Sequence, residues 1–210
     1  MDQQRLRFTF AKGGALVYTS HLDLLRVWER SLRRAGLPLS YSRGFNPRPK
    51  LQLAAALPLG ATGSAEILDV WLGRRLPLGD VLRALLPVLA PGLSVSEVLD
   101  IPLDEQALQP RITSAEYGVI VEWDASAETV QTGIECLLAA LELPSARRGQ
   151  HYDLRPLIEA LWLEHADGSE VRLGMRLAAR ASATARPEAV LEALGVGQAA
   201  ARFDRRRLIW

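Results

Sequence analysis

Residues 5–36 read RLRFTF AKGGALVYTS HLDLLRVWER SLRRAG and carry the clearest secondary-structure pattern of the chain. Apolar and polar residues alternate from Arg5 to Ala11, which predicts a half-buried β-strand. Lys12-Gly13-Gly14 is a turn signal, and we expect residues 15–19 to extend or pair with this strand. Ser20 is then a favourable N-cap for a helix. The order strand, turn, helix indicates the start of an α+β domain.

The helix after Ser20 has an apolar face and a basic face. Its apolar side chains recur at spacings of three and four residues, which predicts a buried stripe: Leu25, Trp28, Leu32 and Ala35. Its arginines use the same spacing on another face: Arg26, Arg30 and Arg33. The negative charge of Asp23 interacts favourably with the free amides at the helix start, and Gly36 is a residue at which helices commonly end. We therefore expect an amphipathic helix with a basic edge.

The rest of the chain alternates strands and helices in an order that occurs twice. In the first half we predict a helix at 79–89 and strands at 37–42, 51–57, 66–72 and 93–101. In the second half we predict helices at 127–141 and 186–194 and strands at 116–123, 152–164, 170–179 and 202–210. Each half therefore reads β-α-β-β-α-β, with an additional hairpin strand possible in the first.

This order predicts an α+β protein with two tandem ferredoxin-like domains, each an antiparallel sheet with its helices on one face. We place a basic N-terminal domain at residues 1–101, a linker at 102–110 and a C-terminal domain at 111–210. The 210 residues fit two domains of about 100 residues each. The halves share no residue-level repeat, so the predicted duplication is one of pattern.

Basic residues are concentrated at the N-terminal end of the chain. The first 60 residues contain ten Lys or Arg and three Asp or Glu, a net charge of +7, whereas the whole chain carries +1. The remaining 150 residues therefore carry about −6. Such polarity is typical of a protein that binds a polyanion through one end.

Composition limits the chemistry and the compartment. The single cysteine, Cys136, excludes a disulfide framework and a cysteine-rich metal or iron–sulfur site within the chain, and it fits a reducing compartment. Cys136 lies in an apolar helical stretch, so we expect an inert core thiol. The start of the chain has no apolar signal core, and Arg or Lys interrupts every long apolar run. We therefore expect a cytoplasmic protein without a membrane partner.

The segment Arg43-Gly-Phe-Asn-Pro-Arg-Pro-Lys50 is a stiff basic loop. Its two prolines fix the backbone around Arg48, so that Arg48 and Lys50 project with little entropy left to lose. Guanidinium groups recognise phosphates or carboxylates, and Phe45 and Tyr41 suit stacking on an unpaired base. The competing interpretation is a plain β–β connection with a buried Phe45, next to a helix whose arginines are merely solvated.

His21 is the candidate for chemistry. At the first turn of a helix the dipole disfavours a charged imidazole, and a neutral imidazole near arginines suits a general base or a phosphate donor. The competing interpretation is a partly buried histidine with a local hydrogen bond. The sequence has no metal-ligand spacing, dinucleotide-binding glycine motif, Walker loop or nucleophile elbow. We therefore predict no metal site, and no catalytic residue unless His21 serves a ribonuclease.

In the second half, Arg155 is a further candidate, since it could extend a basic groove; a pair with Asp153 on one strand face is the alternative. The complete predicted RNA- or anion-binding set is Tyr18, His21, Arg26, Arg30, Arg33, Tyr41, Arg43, Phe45, Asn46, Arg48, Lys50 and Arg155. The four strand tryptophans are more consistent with core positions than with a stacking platform.

Several short motifs occur together in order. They are Tyr18-x-Ser-His-Leu-Asp23, Arg33-Arg-Ala-Gly36, Tyr41-Ser-x-Gly-Phe-Asn-Pro-x-Pro49, Leu57-Pro-Leu-Gly60, Glu66, Asp153-Leu-Arg-Pro156 and Arg186-Pro-Glu188. This combination resembles the bacterial radical-SAM-associated protein family, a domain of unknown function found beside or fused to a radical S-adenosylmethionine enzyme. The resemblance extends over essentially the whole chain.

The resemblance implies an accessory partner of a radical SAM enzyme and transfers no activity. It implies no cofactor in this chain, because the three-cysteine iron–sulfur motif is absent; the cluster and S-adenosylmethionine are expected only in the partner enzyme. The leading hypothesis is therefore a non-catalytic accessory protein that binds RNA through its basic N-terminal face. One alternative is a metal-independent ribonuclease that uses His21; RNA cleavage that is lost in the His21→Ala variant would support it. The other alternative is a scaffold that docks an acidic protein.

Overall fold

We analysed the protein as a computed structural model, which describes residues 3–210. The first two residues of the predicted domain 1–101 lie outside the described part. The chain divides into two compact units, the first ending at Gln109 and the second beginning at Pro110. Both contain helices and antiparallel strands, which confirms the predicted α+β class.

Unit 1 alternates strands and helices and forms an antiparallel sheet. Its elements are β1 (Gln4–Lys12), α1 (His21–Arg34), β2 (Leu51–Leu53), β3 (Thr62–Leu72), α2 (Leu78–Leu85) and β4 (Leu93–Ile101). The strand order is β2-β3-β1-β4. Phe8 of β1 lies opposite Leu68 of β3 and Val98 of β4, so apolar side chains from three strands meet in the middle of the sheet.

The core of unit 1 lies between β1 and α1. Phe8 and Phe10 are fully buried, and their rings lie 5.9 Å and 4.9 Å from the ring of Trp28, the second pair edge to face. Such aromatic pairs contribute about 0.5–1.5 kcal/mol beyond their buried area. The predicted helix caps are confirmed: the Ser20 hydroxyl accepts from the Asp23 amide at 3.2 Å, and Gly36 follows the helix with φ +66°. The alternation and the helical stripe therefore predicted the burial of Phe8, Phe10, Trp28 and Leu32 correctly, whereas Leu24 is buried in place of the predicted Leu25, which is half-buried.

The other face of β1 holds a buried ion-pair cluster. Arg5 donates to one carboxylate oxygen of Asp69 on β3 at 2.6 Å, and Arg7 donates to both oxygens at 2.8 and 2.9 Å. The Arg5 guanidinium also lies 4.7 Å from the ring of Trp71 and donates to the carbonyl of Glu105. Because all three charged side chains of the cluster are buried, the two arginines are structural.

The segment predicted as a linker, residues 102–110, is anchored to unit 1 for most of its length. Glu105 accepts from Arg5, and the Gln109 side chain donates to the carbonyl of Leu53 at 2.8 Å. Leu108, between them, is buried. Separability of the two halves at this segment stays a prediction.

Unit 2 contains an antiparallel sheet and a separate hairpin. Its elements are β5 (Ser114–Glu122), α3 (Ala127–Ala139), β6 (Pro144–Arg147), β7 (Gln150–Asp153), β8 (Ile158–Ala166), β9 (Glu170–Arg180), β10 (Ala183–Thr184), α4 (Pro187–Ala193) and β11 (Ala201–Ile209). The sheet order is β11-β5-β9-β8, with the short β10 also paired to β9. Strands β6 and β7 pair only with each other among the described residues.

Proline explains two strand predictions that are wrong. Residues 37–42 form only isolated bridges at Leu39 and Tyr41, because Pro38 has no amide to donate to a ladder. The predicted strand 152–164 is divided by a 3-10 turn that contains Pro156. Strand β7 therefore ends before this turn and β8 begins after it.

Two further expectations are wrong for other reasons. Residues 15–19 do not continue the strand. A 3-10 turn spans Gly14–Tyr18 instead, and its first residue, Gly14, has a left-handed φ of +55°. Cys136 is exposed, because it lies between the buried Ile134 and Leu137 on the solvent side of α3. The apolar composition of that stretch gave no information about which residues face the core.

Candidate nucleic-acid interface

The basic loop, residues 43–50, is held at its base by hydrogen bonds that involve residues 40–42. Tyr41 and Pro49 face each other in a β-bridge, and the Ser42 amide donates to the Arg48 carbonyl at 2.8 Å. The Arg48 amide donates back to the Ser42 hydroxyl at 3.0 Å, and the Lys50 amide donates to the Ser40 carbonyl at 2.8 Å. These bonds fix the two ends of the loop, so its side chains project from an ordered frame.

The tip of the loop displays an aromatic side chain. Phe45 is fully exposed, which makes the interpretation of a buried Phe45 wrong. Gly44 before it has φ +147°, a conformation that favours glycine. Asn46 is exposed beside it, and Tyr41 at the base of the loop is 45% exposed. An exposed aromatic ring on a restrained loop matches the requirement for stacking on a base.

Helix α1 and the basic loop share a cleft of about 210 Å³. Arg26 and Glu29 line it from the helix, and Arg48 and Pro49 line it from the loop. Further along the helix, the Arg33 guanidinium lies 5.9 Å from the Tyr41 ring. The structure therefore brings together predicted residues that are about 20 positions apart in sequence. We call Arg26, Arg30 and Arg33 of α1 together with the basic loop the basic face.

Only part of the charge of the basic face is neutralised. Arg26 pairs with Asp23 at 2.7 Å, and the predicted pair of Arg33 with Glu29 is present at 2.8 Å. The Ser20 hydroxyl and then Arg26 hold the pKa of Asp23 below its usual value, so this carboxylate stays ionised. Within residues 3–210, four exposed basic side chains of this face have no ion-pair partner: Arg30, Arg43, Arg48 and Lys50. This remaining positive charge is available to an anionic ligand.

The number of Lys and Arg residues in the N-terminal sequence overestimates the positive charge on the surface of unit 1. Lys12 is buried, and its ammonium lies 3.3 Å and 3.4 Å from the carbonyls of Val17 and Thr19. Together with Arg5 and Arg7, it serves the interior of unit 1. The alternation placed Arg5 and Arg7 on the polar face of the strand, whereas Lys12 was assigned to a turn. No local signal revealed Asp69, more than 60 residues away, as the partner of the two arginines.

Tyr18 and His21 lie at the start of α1. Tyr18 ends the 3-10 turn and is 82% exposed, and His21 is the first residue of α1 and half-buried. Leu22, also exposed, lines the cleft beside Arg26. It was not predicted, because it lies outside both the apolar stripe and the arginine spacing of the helix. Roles for Tyr18 and His21 stay predictions.

Arg155 has a local structural role in unit 2. Its guanidinium donates to the carbonyls of Leu138 at 2.9 Å and Ile158 at 3.1 Å. The alternative of a side-chain pair with Asp153 is also absent, because Asp153 accepts instead from the amides of Leu143 and Arg155. Arg155 thus tethers α3 and the start of β8, and its predicted binding role stays a prediction.

Two features of the described residues bear on cofactors and membranes. Within residues 3–210, no group of three or more His, Cys, Asp or Glu side chains is placed to hold a metal ion. In the same part of the chain, no helix has the length and apolar composition needed to cross a bilayer.

A family model described as an uncharacterized protein conserved in bacteria (DUF2344) matches residues 5–187. The chain belongs to this family. Comparison with curated proteins finds no match.

Among solved structures, the chain is similar to components of H/ACA complexes. The first is a Cbf5-Nop10-Gar1 complex, with 10% sequence identity and a TM-score of 0.53 over 96% of this chain and 49% of that one. The second is an archaeal box H/ACA sRNP Nop10-Cbf5 complex, with 11% identity and a TM-score of 0.53 over 97% of this chain and 47% of that one. The third is an H/ACA RNP bound to a substrate RNA containing 2'-deoxyuridine, with 10% identity and a TM-score of 0.51 over 98% of this chain and 47% of that one. The chain spans about half the length of these neighbours. At such identity the likeness concerns the fold alone.

Proposed function

We propose that this protein binds RNA, without catalysing a reaction on it, through the basic face of unit 1. The observation that supports this most is the basic loop, which holds Arg48, Lys50 and a fully exposed Phe45 on a hydrogen-bonded frame. Cationic side chains bind phosphates without regard to sequence, and an exposed ring stacks on an unpaired base. One structural neighbour is an H/ACA RNP bound to a substrate RNA, which agrees with this proposal.

We further infer that both units are ferredoxin-like. The strand order β2-β3-β1-β4 and the element order β-α-β-β-α-β of unit 1 are those of this fold. Unit 2 has the equivalent order β11-β5-β9-β8, with the hairpin and β10 added. The basic face would then lie along the α1 edge of the first ferredoxin-like unit.

Binding through phosphates predicts a steep dependence on salt. If the four unpaired cations each contact one phosphate, the logarithm of the affinity for single-stranded RNA should fall with a slope of about −3 per log unit of salt, at about −0.7 per contact. Arg48→Ala should weaken binding and flatten this slope by about 0.7, for all sequences alike. Fluorescence anisotropy at several salt concentrations measures both quantities.

Arg83→Ala is the matched control for Arg48→Ala. Arg83 is an exposed arginine of α2 in the same unit, but Asp80 neutralises it at 2.9 Å. We expect it to leave the affinity and the slope unchanged. Salt-insensitive binding, or no binding at low salt, would contradict the RNA proposal and favour the docking scaffold.

We propose a radical SAM enzyme as the protein partner, on the strength of the ordered motifs in residues 18–60 and 153–188. Any iron–sulfur cluster and S-adenosylmethionine would then belong to that enzyme. Affinity purification of tagged protein co-expressed with the enzyme is expected to retain both the enzyme and RNA. Retention of RNA with no enzyme, under conditions where both are soluble, would refute the partnership and leave the RNA proposal standing.

A further inference from the structure

Unit 2 contains a basic pocket far in sequence from the basic face. Its volume is about 470 Å³, within the range of small-molecule sites, which are about 300–1,000 Å³. The β6–β7 hairpin lines one side with Arg147, Arg148, His151 and Tyr152, and Ser182–Thr184 line another. The lining therefore combines guanidinium groups, flat rings and hydroxyl groups.

The two arginines of this pocket are not neutralised. Within the described residues neither Arg147 nor Arg148 has an ion-pair partner, whereas most other arginines of unit 2 pair with glutamates. The acidic member of the lining, Asp153, has one carboxylate oxygen occupied by two backbone amides. Two arginines that line one open pocket favour an anion such as phosphate as the ligand.

The hairpin positions Arg148 at a conformational cost. Arg147 pairs with Gln150, so Arg148 and Gly149 form a two-residue turn in which both have positive φ, +51° and +80°. Asparagine or aspartate, followed by glycine, is the usual choice for such a turn. Among the described residues, Arg148 is the only non-glycine residue with a positive φ. The turn conformation alone would favour a smaller residue at position 148. The arginine found there places a positive charge at the pocket in spite of this conformational cost.

From this arrangement we propose that the pocket binds a nucleoside phosphate. The guanidinium groups of Arg147 and Arg148 hold the phosphate, and the rings of Tyr152 and His151 pack against the base. Leu157 and Ala183 supply apolar surface for the remaining face of the ligand. The phosphate could come from a free nucleotide or from the end of an RNA strand, which share this chemistry. The proposal stands apart from the basic face, since its residues all belong to unit 2.

Calorimetric titration of the full chain with AMP, adenosine and inorganic phosphate tests the proposal. We expect AMP to bind at least about tenfold more tightly than adenosine, because hydrogen bonds to charged groups are lost without the phosphate. The proposal would be overturned if AMP and adenosine bound equally well, or if neither AMP nor a strand with a terminal phosphate bound.

Arg148→Asn is the most informative variant, because asparagine followed by glycine suits the turn, while the substitution removes the guanidinium and its aliphatic stem. We expect it to weaken AMP binding about 10- to 100-fold while the hairpin stays folded, and Tyr152→Leu to weaken AMP more than inorganic phosphate. Arg202→Gln, an exposed arginine paired with Glu170, is the control and should have no effect. Unchanged AMP binding in Arg148→Asn would refute the assignment.

A ten-nucleotide RNA with or without a terminal phosphate distinguishes the two sources. Tighter binding of the phosphorylated strand that Arg148→Asn abolishes assigns the pocket to a strand end, and tight AMP binding with no effect of the terminal phosphate assigns it to a free nucleotide. Loss of RNA binding in Arg48→Ala bears only on the basic face. Failure of the two proposals can therefore be told apart.

Discussion

Asp69→Ala is expected to lower the free energy of unfolding of unit 1 by about 3–5 kcal/mol. The carboxylate is buried and accepts from Arg5 at 2.6 Å and from Arg7 at 2.8 and 2.9 Å, so its removal leaves two buried guanidinium groups without their anion. Breaking a buried pair costs far more than breaking an exposed one, because the remaining charge has lost its hydration. Urea unfolding followed by circular dichroism and tryptophan fluorescence measures the change.

Asp80→Ala is the matched control for this prediction. Asp80 also pairs with an arginine, at 2.9 Å, but both side chains are at least half exposed, so we expect a change of about 0.5 kcal/mol or less. The triple replacement Arg5→Met, Arg7→Leu and Asp69→Leu should recover much of the loss, since apolar residues of similar volume often replace a buried ionic cluster without penalty. A loss below about 1 kcal/mol in Asp69→Ala would contradict the structural role of the cluster.

The fold was predictable wherever the signal was local. The alternation of residues 5–11 predicted β1 within one residue at each end, and Ser20 and Gly36 marked the ends of α1. Apolar runs interrupted by proline were misread, as in residues 152–164, because hydrophobicity does not reveal a missing amide. Sequence patterns thus located the main elements better than their breaks.

The candidate site was predictable in composition but not in geometry. Arg26 and Arg48 are 22 positions apart, and only the return of the chain after α1 places them on one cleft. Exposure of Phe45 depends on how the loop closes between Tyr41 and Pro49, a pairing that residue types alone leave undecided. The buried state of Arg5, Arg7 and Lys12 depends on distant or backbone partners, which charge counting ignores.

Phe45→Ala is expected to weaken binding of single-stranded RNA by about 1–3 kcal/mol, or about 5- to 150-fold, because a stacking surface for one base is lost. The slope with salt should stay unchanged, since no phosphate contact is removed. Fluorescence anisotropy with a single-stranded RNA and a fully paired duplex makes the measurement. The loss should be smaller for the duplex, whose bases are already stacked and unavailable to a protein ring.

Because Phe45 is exposed, this test separates an effect on binding from an effect on folding. A fully exposed ring contributes nothing to the core, so the variant should fold like the wild type, and any loss of affinity reports on the contact itself. Phe45→Trp should preserve binding, because it keeps an aromatic face. Leu59→Ala removes an apolar side chain of unit 1 that is 64% exposed but not aromatic, and it should have little effect. Equal losses in Phe45→Ala and Leu59→Ala, or an equal loss with duplex and single strand, would rule out base stacking by Phe45.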